Sequence, residues 1–450
     1  MKIDCLVAEI GSTTTLINAF QFNPSPVFLG SGLANTTVDS DVRVGLQNAK
    51  QDLMNKLGVI KVSSDEMFAS SSAAGGLRMT VSGLVYEMTV KASKQAALNA
   101  GANIHHISSG MLEEIDLESI KEAKPNIILV SGGTDFGERE TAYKNLVSIL
   151  NLKLNIPIIY AGNIANHPRI KKEFIKEIES REIRIVENVY PRVDFMNIQP
   201  LRSEIHKTFE EHIIHAKGME HIKELVNQSI IPTPGSVLES TILLSEIYGN
   251  VMTIDVGGAT TDIHSVCEPS DEYRKYYEGQ PIEKRTVEGD LGVFVNHNSV
   301  LKLTDYQKLL RKLCISSNEF DELLNNYNYI PQTDLEKKLV YELTKTCVFH
   351  ALNRHVGDLK SVYTSNGQKM IPEGKDLSQL QVIILTGGPL INLQDTEEIL
   401  LNYFRENPTK LLPKSGIRII KDEKYLLSSI GVLSKKYKDL SKQLLANYVK

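Results

Sequence analysis

The chain has 450 residues, enough for two or three domains with cores of their own. Its 42% hydrophobic and 23% charged residues are ordinary for a globular protein, and a net charge of −5 gives no cause to expect nucleic acid. No apolar run reaches the length of a membrane span, so neither nucleic acid nor a membrane is expected as a partner. Met1 leads straight into a strand pattern without a signal-peptide pattern. Cys5, Cys267, Cys314 and Cys347 lie far apart, with no metal or disulfide spacing, so a reducing cytoplasm is expected.

In chain order, apolar Ile3, Leu6, Val7 and Ile10 predict a strand over 3–10, and Leu16 to Phe20 predict its return. Between them stands Ala8-Glu9-Ile10-Gly11-Ser12-Thr13-Thr14-Thr15, a carboxylate, a glycine and a run of hydroxyls. A glycine admits a turn and a close ligand, and consecutive N–H groups in such a turn bind anions. Val27 to Gly30 start a third strand, and 41–57 reads as a helix ended by Gly58, with Val44, Leu46, Leu53, Met54 and Leu57 near helical spacing.

Over 66–195 strand candidates alternate with helices: 67–69, 104–107, 126–130, 156–160 and 183–186. That rhythm predicts a parallel, doubly wound sheet, with ligands beyond the carboxyl ends of its strands. The turns at 70–76, 131–135 and 161–163 are rich in Gly and Ser, which serves strand-to-helix connection as well as it serves ligand binding. Residues 202–228 read as a polar helical stretch. His212 and His215 within it share a face, but no carboxylate or cysteine completes a metal set, so solvated helix residues are expected. Residues 230–235 read as a linker, and Ser236 with Glu239 as a capping box for an apolar helix over 237–248.

The strand 252–256 then runs into Asp255-Val256-Gly257-Gly258-Ala259-Thr260-Thr261-Asp262, a second carboxylate–glycine–hydroxyl turn, with a return strand at 263–266. A carboxylate at a strand end suits hydrated Mg²⁺, which takes a few protein oxygens plus substrate phosphates. A charged turn at 284–292, helices over 303–325 and 334–356, and a buried strand over 381–385 broken by Gly387-Gly388-Pro389 follow. Residues 425–433 predict a helix with a small-residue face, and 435–450 continue as a polar helix.

The two glycine turns, the helices at 236–248 and 425–433, and the Gly387-Gly388 strand end together resemble the sugar kinase, Hsp70 and actin ATPase superfamily. The resemblance implies an α/β chain of two actin-like, ribonuclease H-like ATPase lobes around a nucleotide cleft, with a Rossmann-like parallel insertion in the first lobe. It divides the chain into a first lobe (1–65), the insertion (66–200), a linker and connecting helix (201–249), a second lobe (250–424), and a C-terminal helix returning to the first lobe (425–450). It implies ATP and Mg²⁺ as cofactors. The phosphates would lie on Gly11, Ser12, Thr13 and Thr14 and on Gly257, Gly258, Ala259, Thr260 and Asp262, and the adenosine on Gly387 and Gly388. Glu9 and Asp255 would face each other across the metal, and Glu239 or Asp255 would position the attacking water. The superfamily carries Asp where this chain has Glu9, so the second loop is expected to hold most of the metal.

The full set of motifs, with 71–79, 132–135, 161–163 and 286–292 added, resembles the glutamate mutase accessory family, called MutL or GlmL. That resemblance implies an ATP-dependent reactivating chaperone, by analogy with the diol dehydratase reactivases. Its partners would be subunits of an adenosylcobalamin-dependent mutase of glutamate, ornithine or lysine, with a second copy of the chain as a further candidate. The insertion offers a surface for the partner. Two alternatives stand beside it: a small-molecule kinase or ATP-dependent activating enzyme, with Asp262 or Glu288 as general base, and an actin-like filament.

Overall fold

The computed structural model describes all residues except 38–39, 73–76, 213–218, 220, 327–330, 365–366 and 450. The chain forms two compact units, Met1–Ser236 with Glu278–Lys284, and Val237–Tyr277 with Arg285–Lys450. Among the described residues no helix is long and apolar enough to cross a membrane.

The first unit opens with β1 (Lys2–Ile10), β2 (Thr14–Gln21) and β3 (Val27–Asn35), then the helix Val42–Leu57, then β4 (Ser63–Ser71). The helix starts where the Asp41 carboxylate accepts from the Arg43 N–H and stops at Gly58, which takes a left-handed φ of 67°. Val42, Leu46, Ala49 and Leu53 form its buried face, whereas Val44, counted with that face from its spacing, is exposed. Five strands follow: β5 (Leu77–Gly83), β6 (Ala102–Ser109), β7 (Ile127–Val130), β8 (Ile158–Tyr160) and β9 (Ile183–Ile185). They form a wholly parallel sheet in the order β6-β5-β7-β8-β9. Alternation along β7 explains its unbroken apolar run: Ile127 and Leu129 join one core, Ile128 and Val130 another.

Two boundaries differ from expectation. Strand 67–69, assigned by pattern to the parallel series, lies in β4 and pairs with β1 in the first sheet. The parallel sheet instead begins at β5, a strand hidden in the sequence behind the Ser/Ala/Gly run that precedes it. The segment 230–235 is not a linker. Ile230–Pro232 forms β10, the edge strand beside β4, and the next helix begins at Thr233. Ser236 therefore sits inside that helix rather than at its N-cap, donating to the Thr233 carbonyl at 2.7 Å.

In the second unit β11 (Val251–Val256) and β12 (Thr261–Val266) form a hairpin, joined by β13 (Glu283–Glu288). The charged turn expected at 284–292 is thus a strand in its first half. The helical stretch 303–325 is two helices, Tyr306–Leu313 and Ser317–Asn325, parted by Cys314 at a φ of 57°. A two-stranded ribbon of β14 (Asp358–Thr364) and β15 (Gly367–Glu373) follows the long helix Asp334–His355. Then β16 (Val382–Thr386) and β17 (Arg418–Lys421) complete the main sheet. The C-terminal helices Leu427–Leu433 and Lys438–Tyr448, expected to return to the first lobe, belong to this unit. Ser240 Oγ donates to the Leu427 carbonyl and the Tyr248 hydroxyl to the Val449 carbonyl, each at 2.6 Å.

The two main sheets share one design. The orders β10-β4-β1-β2-β3 and β17-β16-β11-β12-β13 correspond strand for strand, with an antiparallel hairpin at the centre and a parallel partner beside its first strand. Register repeats as well: Glu9 pairs with Leu16 and Ser70, Asp255 with Asp262 and Thr386. This repeat is the pair of actin-like, ribonuclease H-like lobes expected from the motifs, with the parallel α/β insertion carried by the first.

Candidate phosphate-binding loops

Each central hairpin turns through four residues, Gly11 to Thr14 and Gly257 to Thr260. The first N–H donates across the turn in both: Gly11 to the Thr14 carbonyl and Gly257 to the Thr260 carbonyl, each at 2.9 Å. A Cβ on residue 11 would lie 2.7 Å from the Thr14 oxygen, and one on residue 257 would lie 3.2 Å from the Thr260 oxygen, which is why the turns start with glycine.

Most carbonyls of the two loops are taken up by protein. In the first, Thr36 Oγ1 donates to the Gly11 carbonyl at 2.9 Å and the Thr36 N–H to that of Thr13 at 3.0 Å. In the second, the N–H groups of Val293 and Phe294 donate to Gly257 and Gly258, and Asn296 Nδ2 to Ala259 at 2.6 Å. Among the described residues, no backbone acceptor outside the strand ladders meets the N–H groups of Ser12 and Thr13, or of Gly258, Ala259 and Thr260. These successive donors, two in the first loop and three in the second, are left to water or an anion.

The carboxylates differ in setting. Glu9 is buried on β1, whereas Asp255 is half-exposed on β11. Gly387, at the end of β16, adopts a φ of 90°, and a Cβ there would lie 2.3 Å from the Val256 carbonyl and 2.7 Å from Asp255 Oδ1. Asp255 and the Gly387-Gly388 strand end are thus neighbours in one unit, while Glu9 belongs to the other. Among the described residues no group of three or more His, Cys, Asp or Glu forms a metal cage.

The match to the MutL protein family covers residues 5–449. The chain is 32% identical to Protein MutL of Clostridium tetanomorphum, over 99% of this chain and 98% of the relative. This chain belongs to the MutL family. It is also similar to solved structures of a diol dehydratase-reactivating factor in nucleotide-free form (TM-score 0.36, 11% identity, 97% of this chain and 100% of that one) and of a glycerol dehydratase reactivase (0.35, 10%, 96% and 100%). A nucleotide-free acetone carboxylase is a third (0.39, 11%, 96% and 70%). At such identity none of their residues transfers to this chain by position.

Other predicted residues of this MutL-family chain have settings of their own. Asp262 is buried; Arg285 donates to its Oδ1 through Nε at 3.0 Å and Nη2 at 2.5 Å, and Thr260 Oγ1 to its Oδ2 at 3.1 Å. It thus fixes the loop through a side chain. Glu288 is also buried and bonded to Arg354; burial raises its pKa despite that cation. Glu239 accepts from Lys435 Nζ at 2.6 Å. The residues 73–76 of the MutL motif, and the side chains of His212 and His215, lie outside the described residues.

Sequence reasoning missed the residues that hold the loops: Thr36, Arg285 and Asn296. It also missed Asp422. That carboxylate follows β17, is fully buried, and accepts from the N–H groups of Leu426 and Leu427 at 2.9 to 3.1 Å and from Thr386 Oγ1 at 3.1 Å. It anchors the helix Leu427–Leu433 to the strand end that carries Gly387. Burial raises its pKa to about 6, against the pull of those donors.

Proposed function

We propose that this chain binds ATP with Mg²⁺ and couples it to an accessory role on an adenosylcobalamin-dependent mutase of glutamate, ornithine or lysine. The observation that carries the reading is the repeated loop, with successive main-chain donors open to a ligand in each copy, in a member of the MutL family. Gly11, Ser12, Thr13 and Thr14 would take one set of phosphate oxygens, and Gly257, Gly258, Ala259 and Thr260 another, with Asp262 holding the second loop in shape. Gly387 and Gly388 leave room for the adenosine against backbone. Asp255, with Glu9, would hold the metal, which when bound neutralises phosphate charge. Phosphoryl transfer asks little else of a protein than positioning and charge neutralisation. Asp255 or Glu239 would orient water for hydrolysis. Glu239 is paired with Lys435, so its part depends on that cation moving with it.

The work done would be reactivation in the cytoplasm. A mutase that has lost its cofactor's upper ligand retains damaged cobalamin, and nucleotide-dependent affinity for the mutase would release it. The kinase alternative draws no support: its candidate bases are both engaged by arginines, Asp262 by the buried Arg285 and Glu288 by the exposed Arg354. The test is restoration of turnover to an inactivated mutase by the purified protein with Mg-ATP. No restoration with ATP or an analogue sinks the reading.

A further inference from the structure

All five strands of the inserted sheet run parallel, so their carboxyl ends share one edge, in the order 2-1-3-4-5 when counted from β5. The loops on that edge touch one another. Gly110 N–H, after β6, donates to the Gly83 carbonyl at the end of β5 at 2.9 Å. A Cβ on Gly132, after β7, would lie 3.4 Å from Leu84 Cβ. Asp135 N–H donates to the Pro191 carbonyl, beyond β9, at 2.9 Å.

From these adjoining loops five large apolar side chains stand out into solvent. Val85, Tyr86, Met111, Phe136 and Val193 are between 44% and 71% exposed. Single exposed apolar residues mean little, but a set on adjoining loops marks a contact surface. Phe136 is the most exposed of them, and its backbone is left-handed at a φ of 62°, an outlier for a bulky residue. Its loop is built to keep it there. The Asn163 Oδ1 accepts the Phe136 N–H at 3.0 Å, while its Nδ2 donates to the Gly137 and Glu138 carbonyls. Asn188 Nδ2 donates to the Gly133 carbonyl and to Asp135 Oδ1. Both asparagines are buried. A scaffold of buried amides that holds an aromatic ring in water, on a strained backbone, is the arrangement of a docking residue.

The same loops, 84–87, 110–114, 131–140 and 190–195, carry seven carboxylates against Arg139 and Arg192. Glu87, Glu113, Glu114 and Glu138 among them are exposed. We infer that this edge docks a protein partner whose contacting face is apolar at its centre and basic at its rim, and that the partner is the mutase. The identity of the partner rests on the function proposed above; the surface itself does not. Acidic groups around an apolar centre steer a basic face into place and make association sensitive to salt.

The test uses the full chain and purified glutamate, ornithine and lysine mutases, with binding measured by calorimetry without nucleotide. The wild type is expected to bind one of them. Phe136→Ser and Tyr86→Ser are each expected to weaken that binding at least tenfold, and Glu87→Lys several-fold, with affinity falling as NaCl rises. Because these side chains are exposed, the melting temperature and nucleotide affinity should stay at wild-type values. Wild-type binding by Phe136→Ser and Tyr86→Ser overturns the surface and leaves the proposed function standing. Loss of binding in the variants, with no cobalamin release by the wild type, keeps the surface and sinks the function. Binding to none of the three sinks both. Sedimentation showing self-association that Phe136→Ser abolishes gives the edge to a second copy of the chain and overturns the mutase as its occupant.

Discussion

Asp262 and Arg285 form an ion pair that water scarcely reaches, with side chains 5% and 1% exposed and Nη2 to Oδ1 at 2.5 Å. Removing one partner of such a pair leaves an uncompensated buried charge, at a cost of about 3–5 kcal/mol. Arg285→Met should lose that much stability in urea unfolding. The double variant Arg285→Met with Asp262→Leu should recover most of it, because no charge is stranded. Equal stability of Arg285→Met and wild type would show that the pair contributes nothing.

Gly387 and Gly388 are adjacent in sequence and opposite in expected tolerance. Alanine at 387 meets a φ of 90° and a contact of 2.7 Å with Asp255 Oδ1, whereas at 388 the nearest atom lies at 3.9 Å. Gly387→Ala should cut nucleotide affinity at least tenfold through Asp255, and Gly388→Ala should leave it within about twofold, since a relaxed Cβ contact is nearly neutral in energy. Isothermal titration with ATP decides it, and equal affinities would separate Asp255 from the nucleotide.

The clamps on the loop carbonyls make a matched pair of tests. Thr36→Val removes the hydroxyl bonded to the Gly11 carbonyl, and Asn296→Ala removes the amide shared by Ala259 and Gly289. The one bond to a loop carbonyl that each variant loses contributes about 1 kcal/mol. Nucleotide affinity should fall roughly fivefold for each variant by that measure. Amide exchange should quicken in the altered loop alone.

Asp422 sets a pH dependence whose sign is fixed by burial. Its folded pKa of about 6 lies above the ordinary value of 3.8, so the native state holds the proton more tightly than the unfolded chain. Its contribution to stability is therefore fully present below pH ~4 and is lost as pH rises through ~6, up to about 3 kcal/mol in all. Asp422→Asn keeps an acceptor for Leu426 and Leu427 and should flatten the unfolding free energy between pH ~4 and ~7. An unchanged slope in that window would assign the titration elsewhere.

The two loops were legible because their chemistry is local: a carboxylate, a glycine two residues on, and small residues before a return strand. Their clamps were not, because each comes from far along the chain. Thr36 stands 25 residues from Gly11, Asn296 37 from Ala259, and Arg285 23 from Asp262. Nothing in Lys284-Arg285 distinguishes a buried guanidinium from a solvated one, so the stretch read as a charged turn. Strand β5 was masked by the small residues before it. The ribbon of β14 and β15 buries little on either face, with Tyr363 83% exposed, so it lacks the alternation by which strands announce themselves. The helix at 237–248 was found, but its start was set three or four residues late because Thr233-Pro234-Gly235 resembles a linker; Pro is at home in a helix's first turn.

The donors in each loop belong to the main chain, which every amino acid supplies alike. Drift at Ser12, Thr13 or Ala259 therefore changes the letters without removing a donor. The opening glycine, the distant clamps and, in the second loop, Asp262 constrain the turn. A ligand gripped in this way is recognised by its charge and shape, and the protein that grips it is free to rewrite most of the surrounding text.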